Sequence, residues 1–177
     1  MHVTTKKLTT AGITLALSMV INLLVNIFNL SSLFILMVSG FLIGVVIRMC
    51  GMKMAVSYLV ASSALALIIA PEKLDVLAYI FTEIYIVARE FIYKALAKKE
   101  NIEVKKRKRL YFFFRWLMFQ AMIVPIIIFL PGLLLTVNTP KMKITAYLLG
   151  QVYWYLADYC YNAFQRFFEA RVMKKIM

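Results

Sequence analysis

The stretch "TTAGITLALSMVINLLVNIF", residues 9–28, carries no charged side chain and indicates the class of protein. About 20 helical residues are needed to cross the hydrocarbon core of a bilayer, because a helix rises about 1.5 Å per residue. Comparable apolar runs follow along the 177-residue chain, of which 63% is hydrophobic, whereas a typical soluble domain is about 45–50% apolar. The sequence therefore predicts a polytopic membrane protein.

Six apolar spans are predicted, and together they make one all-α membrane domain over residues 1–177. The spans cover about 9–28, 32–50, 55–71, 74–96, 110–136 and 144–167. Lys and Arg concentrate in the loops on the same side as the N-terminus, and cytoplasmic loops are enriched in these residues. We therefore expect six transmembrane helices in the cell membrane, with both termini cytoplasmic.

The most hydrophilic segment is "KKENIEVKKRKR", residues 98–109, which is expected to be a cytoplasmic loop. Such a loop is typically a determinant of topology, and we favour that interpretation. The alternative is a docking site for anionic lipid or for an acidic partner. Because positively charged loops account for the net charge of +13, a nucleic-acid partner is not expected.

The residues that support catalysis or metal binding are scarce. His2 is the only histidine, and Cys50 and Cys160 are far apart in separate apolar segments. This pattern matches no zinc motif, no CxxC pair and no nucleophile beside a base. We expect no catalytic residue, no metal and no cofactor, and the sequence does not favour an enzyme.

Polar residues inside the spans follow helical spacing. In the sixth span Gln151, Asp158 and Asn162 share one helical face with Tyr155, because consecutive members are three or four residues apart. The second and third spans are expected to contribute almost no polar groups. The polar groups therefore concentrate in the other spans.

Several of these groups lie toward the outer side of the membrane, including Asn22, Asn26, Tyr79 and Glu83. A carboxylate in hydrocarbon needs a counter-ion, a proton or water. We therefore predict an outward-facing solute cup with acidic groups at its base. Its members are Asn22, Asn26, Tyr79, Glu83, Gln151, Tyr153, Trp154, Tyr155, Asp158 and Asn162.

The alternative is a purely structural role, in which these polar groups form hydrogen bonds between helices and the aromatic residues form a belt at the membrane interface. Deeper in the membrane, either Glu90 is expected to pair with Arg115, or the arginines are expected to extend their charged ends toward the interface. Small residues offer a further feature, since Gly12-x-x-x-Ala16 and Gly40-x-x-x-Gly44 let helices approach closely. They are expected to contact a partner helix or to pack internally. A similar stripe in the third span consists of Ser62, Ala66 and Ala70.

The chain resembles the substrate-binding (S) components of energy-coupling factor transporters. The resemblance covers its length, six predicted helices, the start "KKLTTAGITLALSMV" at residues 6–20 and the basic loop before the fifth helix. The family's Ala-x-x-x-Ala in the first helix corresponds here to Gly12-x-x-x-Ala16. The resemblance implies capture of a vitamin or similar micronutrient from outside, mainly by helices four to six. It also implies that helices one to three contact a transmembrane coupling subunit, which works with ATPase subunits.

The expected function is therefore solute binding for an ATP-driven importer, with an aromatic or vitamin-like solute. In that hypothesis Glu83 and Asp158 bind a cationic or hydrogen-bonding group, and the aromatics stack on a flat ring. The alternative is a non-transporting scaffold subunit of a bacterial membrane complex, similar to MreD. Such a subunit would need no ligand.

Overall fold

The computed structural model describes residues 5–28, 32–70, 73–97, 103–129 and 139–173, which fold into six α-helices. The helices are α1 (Thr5–Phe28), α2 (Ser32–Met49), α3 (Met52–Ile69), α4 (Lys73–Ala97), α5 (Val104–Phe129) and α6 (Pro140–Phe168), and a π-helical turn, Glu169–Met173, follows α6. For these residues the prediction of an all-α chain with six helices is confirmed.

Three of the described helices are long and apolar enough to cross a membrane. These stretches are Thr5–Val25, Met52–Ile69 and Val104–Ile127, and α2 contains a shorter apolar stretch, Phe34–Met49. The remaining helices, α4 and α6, carry most of the ionisable residues found inside the predicted spans. Length and composition thus give three candidate transmembrane helices, as in a multi-pass membrane protein.

The turn between α2 and α3 is set by Gly51. Its φ of 96° and ψ of 168° lie in a region that is almost restricted to glycine. The backbone N–H groups of Cys50 and Gly51 both donate to the carbonyl of Val46, which completes the last turn of α2. A side chain at position 51 would therefore strain this connection.

Prolines affect the helix ends in two different ways. Ala70, which precedes Pro71, is extended and ends α3, because a proline disfavours helical backbone at the residue before it. In contrast, α5 continues through Pro125 to Phe129. The rest of the fifth predicted span, with Pro131 and Gly132, lies outside the described residues.

The chain forms two compact units, which are described separately. The first unit comprises Met1–Phe91 and Phe164–Met177, and the second comprises Ile92–Ala163. In the first unit α1, α2 and α3 pack against one another. Its hydrophobic core includes Met19, Val25, Leu36, Ala66, Ala70, Val76 and Tyr79.

Some of the small residues pack closely inside the first unit. An added Cβ at Gly40 would lie 2.8 Å from Cγ2 of Thr82, so α2 and α4 are in near contact there. Gly44 is also buried, whereas Gly12 and Ala16 are exposed. In the third span the stripe Ser62, Ala66 and Ala70 is buried as well.

Gly40→Ala should destabilise the protein by about 1–3 kcal/mol, since overpacking a tight contact forces the neighbour to move. Gly12→Ala is the matched control: nothing lies within 4 Å of its added Cβ. Because alanine favours a helix by up to about 1 kcal/mol over glycine, this control should be neutral or stabilising. Thermal unfolding in detergent measures both.

The addition of Thr82→Ser to Gly40→Ala should recover part of the lost stability, because serine lacks the Cγ2 methyl group. Equal effects of the two glycine substitutions would contradict the close approach of α2 and α4.

Candidate functional site

Glu83 is a buried carboxylate in the first unit that is held only by hydroxyl groups. Its side chain is fully buried. The Tyr79 hydroxyl donates to Oε1 at 2.6 Å, and the Ser62 hydroxyl donates to Oε2 at 2.6 Å. In the described part of the chain, no lysine or arginine forms an ion pair with Glu83.

The hydrogen bonds continue from Tyr79 to Ser18 and Asn22 of α1. Ser18 Oγ lies 2.7 Å from the Tyr79 hydroxyl and 2.9 Å from Ser39 Oγ. Asn22 Nδ2 donates to the Ser18 carbonyl at 3.0 Å and to Ser39 Oγ at 3.3 Å. These residues and Ser62, with Glu83 as the terminal acceptor, are called the Glu83 network below.

The direction of the bonds follows from counting protons. Tyr79 has one hydroxyl proton and donates it to Glu83, so Ser18 must donate to Tyr79. Ser39 then donates to Ser18, at its hydroxyl or its carbonyl oxygen. The hydroxyls of Ser39, Ser18 and Tyr79 can therefore donate in order toward Glu83, whose oxygens act only as acceptors when the group is ionised.

Helical spacing explains the bond between Tyr79 and Glu83. The sequence analysis did not predict that Ser18, Ser39 and Ser62 join them in the network. Tyr79 and Glu83 are four residues apart and therefore share one face of α4. The expectation that the second and third spans contribute almost no polar groups is wrong, because Ser39 and Ser62 both take part. The available signal was a hydroxyl within an apolar run, since such a group needs a hydrogen-bond partner in the membrane.

In the second unit, the carboxylate of Asp158 is paired with a cation. Arg115 Nη1 lies 2.5 Å from Asp158 Oδ2, and Asn162 Nδ2 is 3.4 Å from the same oxygen. The Arg115 guanidinium also stacks 4.6 Å from the ring centroid of Tyr111. The charge of Asp158 is therefore compensated within the protein.

The sequence predicted Glu90 as a partner of Arg115, whereas in the structure Arg115 binds Asp158. In the first unit, Glu90 lies 3.8 Å from Arg48, and Arg48 also pairs with Glu169. Arg48 is at the C-terminal end of α2, where a cation interacts favourably with the helix dipole.

A second polar group in the Ile92–Ala163 unit joins α5 to α6. Gln151 Nε2 donates to Gln120 Oε1 at 2.9 Å, and Gln120 Nε2 bonds to the Tyr147 hydroxyl. Arg115 contacts Asp158, whereas the later Gln120 contacts the earlier Gln151. The two helices are therefore antiparallel. These amides are side-chain links between the two helices.

The three adjacent aromatics of α6 do not form one wall. Trp154 is buried and stacks on Phe119 with ring centroids 5.8 Å apart, while Phe112 meets it edge-on. Tyr153 and Tyr155 are exposed, because successive helical residues point about 100° apart. Trp154 therefore stacks on protein rings, and the tyrosines point away from it.

The predicted cup residues thus fall into separate groups. Asn22, Tyr79 and Glu83 join in the Glu83 network of the first unit. The members in the second unit are Gln151, Tyr153, Trp154, Tyr155, Asp158 and Asn162. Asn26 belongs to α1, and its side chain lies outside the described residues.

Other candidate features in the described residues are modest. No cluster of three or more His, Cys, Asp or Glu side chains suitable for a metal ion occurs among them. The second unit has an open apolar cleft beside Pro125. It is lined by Val124, Ile127, Lys143, Ile144 and Tyr147. Its lining offers a solute little polar recognition, so Glu83 remains the strongest candidate.

The chain matches no protein-family model, and comparison with curated proteins and with solved structures gives no match either.

Tyr79→Phe should lower the free energy of unfolding by about 1–3 kcal/mol, because it leaves a buried carboxylate oxygen without its donor. Tyr159→Phe is the matched control, since Tyr159 is 67% exposed, and it should change stability by less than about 0.5 kcal/mol. Denaturant unfolding in detergent measures both. The Tyr79→Phe effect should shrink in a Glu83→Gln background, and equal effects in both backgrounds would contradict the proposed bond to the carboxylate.

Asp158→Ala should destabilise the protein by about 3–5 kcal/mol, because it leaves the buried Arg115 charge uncompensated. Replacement of both partners, as in Arg115→Met with Asp158→Leu, should cost less than Asp158→Ala alone. Glu103→Ala is the control, since Glu103 is exposed. A loss after Asp158→Ala no greater than that of the control would show that the ion pair is not structural.

Proposed function

We propose that this chain is a multi-pass membrane protein with six transmembrane helices and cytoplasmic termini. The distribution of Lys and Arg supports this topology, because only Lys73, Lys141 and Lys143 would lie at outer ends of helices. In this arrangement α4 enters from outside, and Glu83 lies about 15 Å along it at 1.5 Å per residue. That depth is near the middle of a hydrocarbon core of about 30 Å.

We further propose that the protein is the solute-binding subunit of an ATP-driven micronutrient importer, with Glu83 as its principal binding group. One observation carries the proposal: Glu83 is fully buried, and its two bonding partners are neutral hydroxyls. An ionisable residue inside a membrane is a candidate for solute, ion or proton binding. The chain would work with a transmembrane coupling subunit and ATPase subunits, as its resemblance to S components implies.

The contrast between the two carboxylates narrows the class of solute. Asp158 has Arg115 as its counter-ion, so its charge is not available for a ligand unless that pair opens. Glu83 has no basic partner in the described residues. A cationic group, or a strong hydrogen-bond donor on a vitamin-like ring, would compensate its charge at that depth.

A scaffold role is the second candidate, and a specific observation favours it. The polar groups of both units bond to protein partners, as Ser62 does to Glu83 and Gln120 does to Gln151. Interhelical hydrogen bonds of this kind stabilise membrane bundles by about 0.6 kcal/mol each on average. In a scaffold, substitution of Glu83 would change the stability of the protein, and there would be no solute binding to lose.

Thermal unfolding of the purified protein across a panel of cationic and neutral ring solutes tests the proposal. A ligand at 100 times its Kd should stabilise the protein by about 2.7 kcal/mol. Glu83→Gln preserves the shape of the side chain but removes its charge, and it should weaken binding at least about tenfold. Glu103→Gln, at an exposed position, should leave binding unchanged.

Solute uptake by cells and co-purification of ATPase subunits separate the two candidates. An importer subunit should lose uptake after Glu83→Gln while it still recovers its ATPases. Full binding in the Glu83→Gln variant would contradict the role of Glu83. Stabilisation by no solute, together with recovery of a complex that lacks ATPases, would favour the scaffold.

A further inference from the structure

The N-terminal turns of α5 carry a concentrated positive charge. Five consecutive basic residues, Lys105, Lys106, Arg107, Lys108 and Arg109, form what we call the basic band. All except Arg107 are exposed. Because successive helical residues point about 100° apart, five in a row surround the helix completely. The band therefore does not belong to one face of an amphipathic helix.

The charges of the basic band are close together, and the described residues supply no counter-ion for them. In the described part of the chain, none of the five forms an ion pair. They also lie in the first turns of a helix, where the macrodipole is positive and disfavours cations. Both facts favour compensating anions from outside the described part of the chain.

Aromatic rings follow the basic band along the same helix. Phe112, Phe113 and Phe114 are between 40% and 51% exposed, and Trp116 lies beside Phe113 with centroids 6.3 Å apart. We call the five aromatic residues within 111–116 the aromatic band. From Arg107 to Phe113 the helix rises about 9 Å at 1.5 Å per residue.

The order of the two bands matches the layers of a membrane. Basic side chains meet anionic headgroups, aromatic rings lie at the boundary with the acyl chains, and an apolar helix continues into the hydrocarbon. The helix Val104–Ile127 is one of the candidate transmembrane stretches. We propose that the basic band binds anionic phospholipid headgroups and enriches such lipids around α5, with the aromatic band against their upper acyl chains.

Trp116 provides a built-in reporter of the lipid neighbours. The chain has two tryptophans, and Trp154→Phe leaves Trp116 as the only one. This variant is reconstituted in zwitterionic vesicles that contain a small fixed fraction of a brominated lipid, either phosphatidylglycerol or phosphatidylcholine. Bromine quenches tryptophan at short range, so enrichment of the anionic lipid should make its quenching about two-fold stronger.

Two variants and a salt titration make the test specific. Replacement of all five basic-band residues by glutamine should abolish the preference for the anionic lipid. The control Lys141→Gln with Lys143→Gln, at the start of α6, should retain it. Added salt should also reduce the preference in the unsubstituted band, because electrostatic attraction is screened. The salt titration uses the protein with all five basic residues in place, so it remains informative if the five-fold variant fails to fold.

Equal quenching by the two brominated lipids would overturn the proposal. It would also be overturned if the preference survived in the five-fold variant. Glycerol phosphate, present at the same concentration as the anionic lipid, distinguishes a bilayer from a free anion. Abolition of the preference by this soluble anion would indicate a free-anion site and would contradict lipid binding.

Discussion

A carboxylate within an apolar helix bundle must be supplied with donors, and the first unit is organised around this requirement. Tyr79 and Ser62 donate to the two oxygens of Glu83, and Ser18, Ser39 and Asn22 extend the bonds outward. These six residues come from all four helices α1–α4. Loss of either bond to Glu83 would leave one of its buried oxygens without a donor, so these bonds favour one arrangement of the helices.

The two units satisfy their buried acids by different means. In the second unit a full positive charge on Arg115 compensates Asp158, and the ring of Tyr111 supports the guanidinium. In the first unit only neutral hydroxyls surround Glu83. An ion pair has no net charge, whereas an ionised carboxylate bonded only to hydroxyls keeps its negative charge. This difference is why Glu83, rather than Asp158, is the group on which a role in binding is best argued.

Much of the fold could be predicted because hydrophobicity is a local property of the chain. The predicted second span, 32–50, agrees with α2, Ser32–Met49, and the predicted fourth span, 74–96, agrees with α4, Lys73–Ala97. The site was predicted less well. Glu83 and Tyr79 were both predicted to belong to the cup, because polar groups within an apolar span are conspicuous, but their bond to each other was not predicted. The roles of Ser18, Ser39 and Ser62 were not predicted either, because serine is common in apolar helices. Trp154 was assigned to a solute, although Phe119 already covers its ring.

The sequence by itself determined the helical, membrane-compatible character of the chain, the approximate positions of its helices and the presence of the basic residues before the fifth span. Each of these depends on residues that are neighbours along the chain or one helical turn apart. The prediction that all of residues 98–109 form a loop is wrong, because α5 already begins at Val104. Only the tertiary structure decided which polar groups meet. Ser18 and Tyr79 are 61 residues apart, and Arg115 and Asp158 are 43 apart. A polar side chain in an apolar helix indicates that a hydrogen-bond partner is required. Only the packing of one helix against another determines which partner it has.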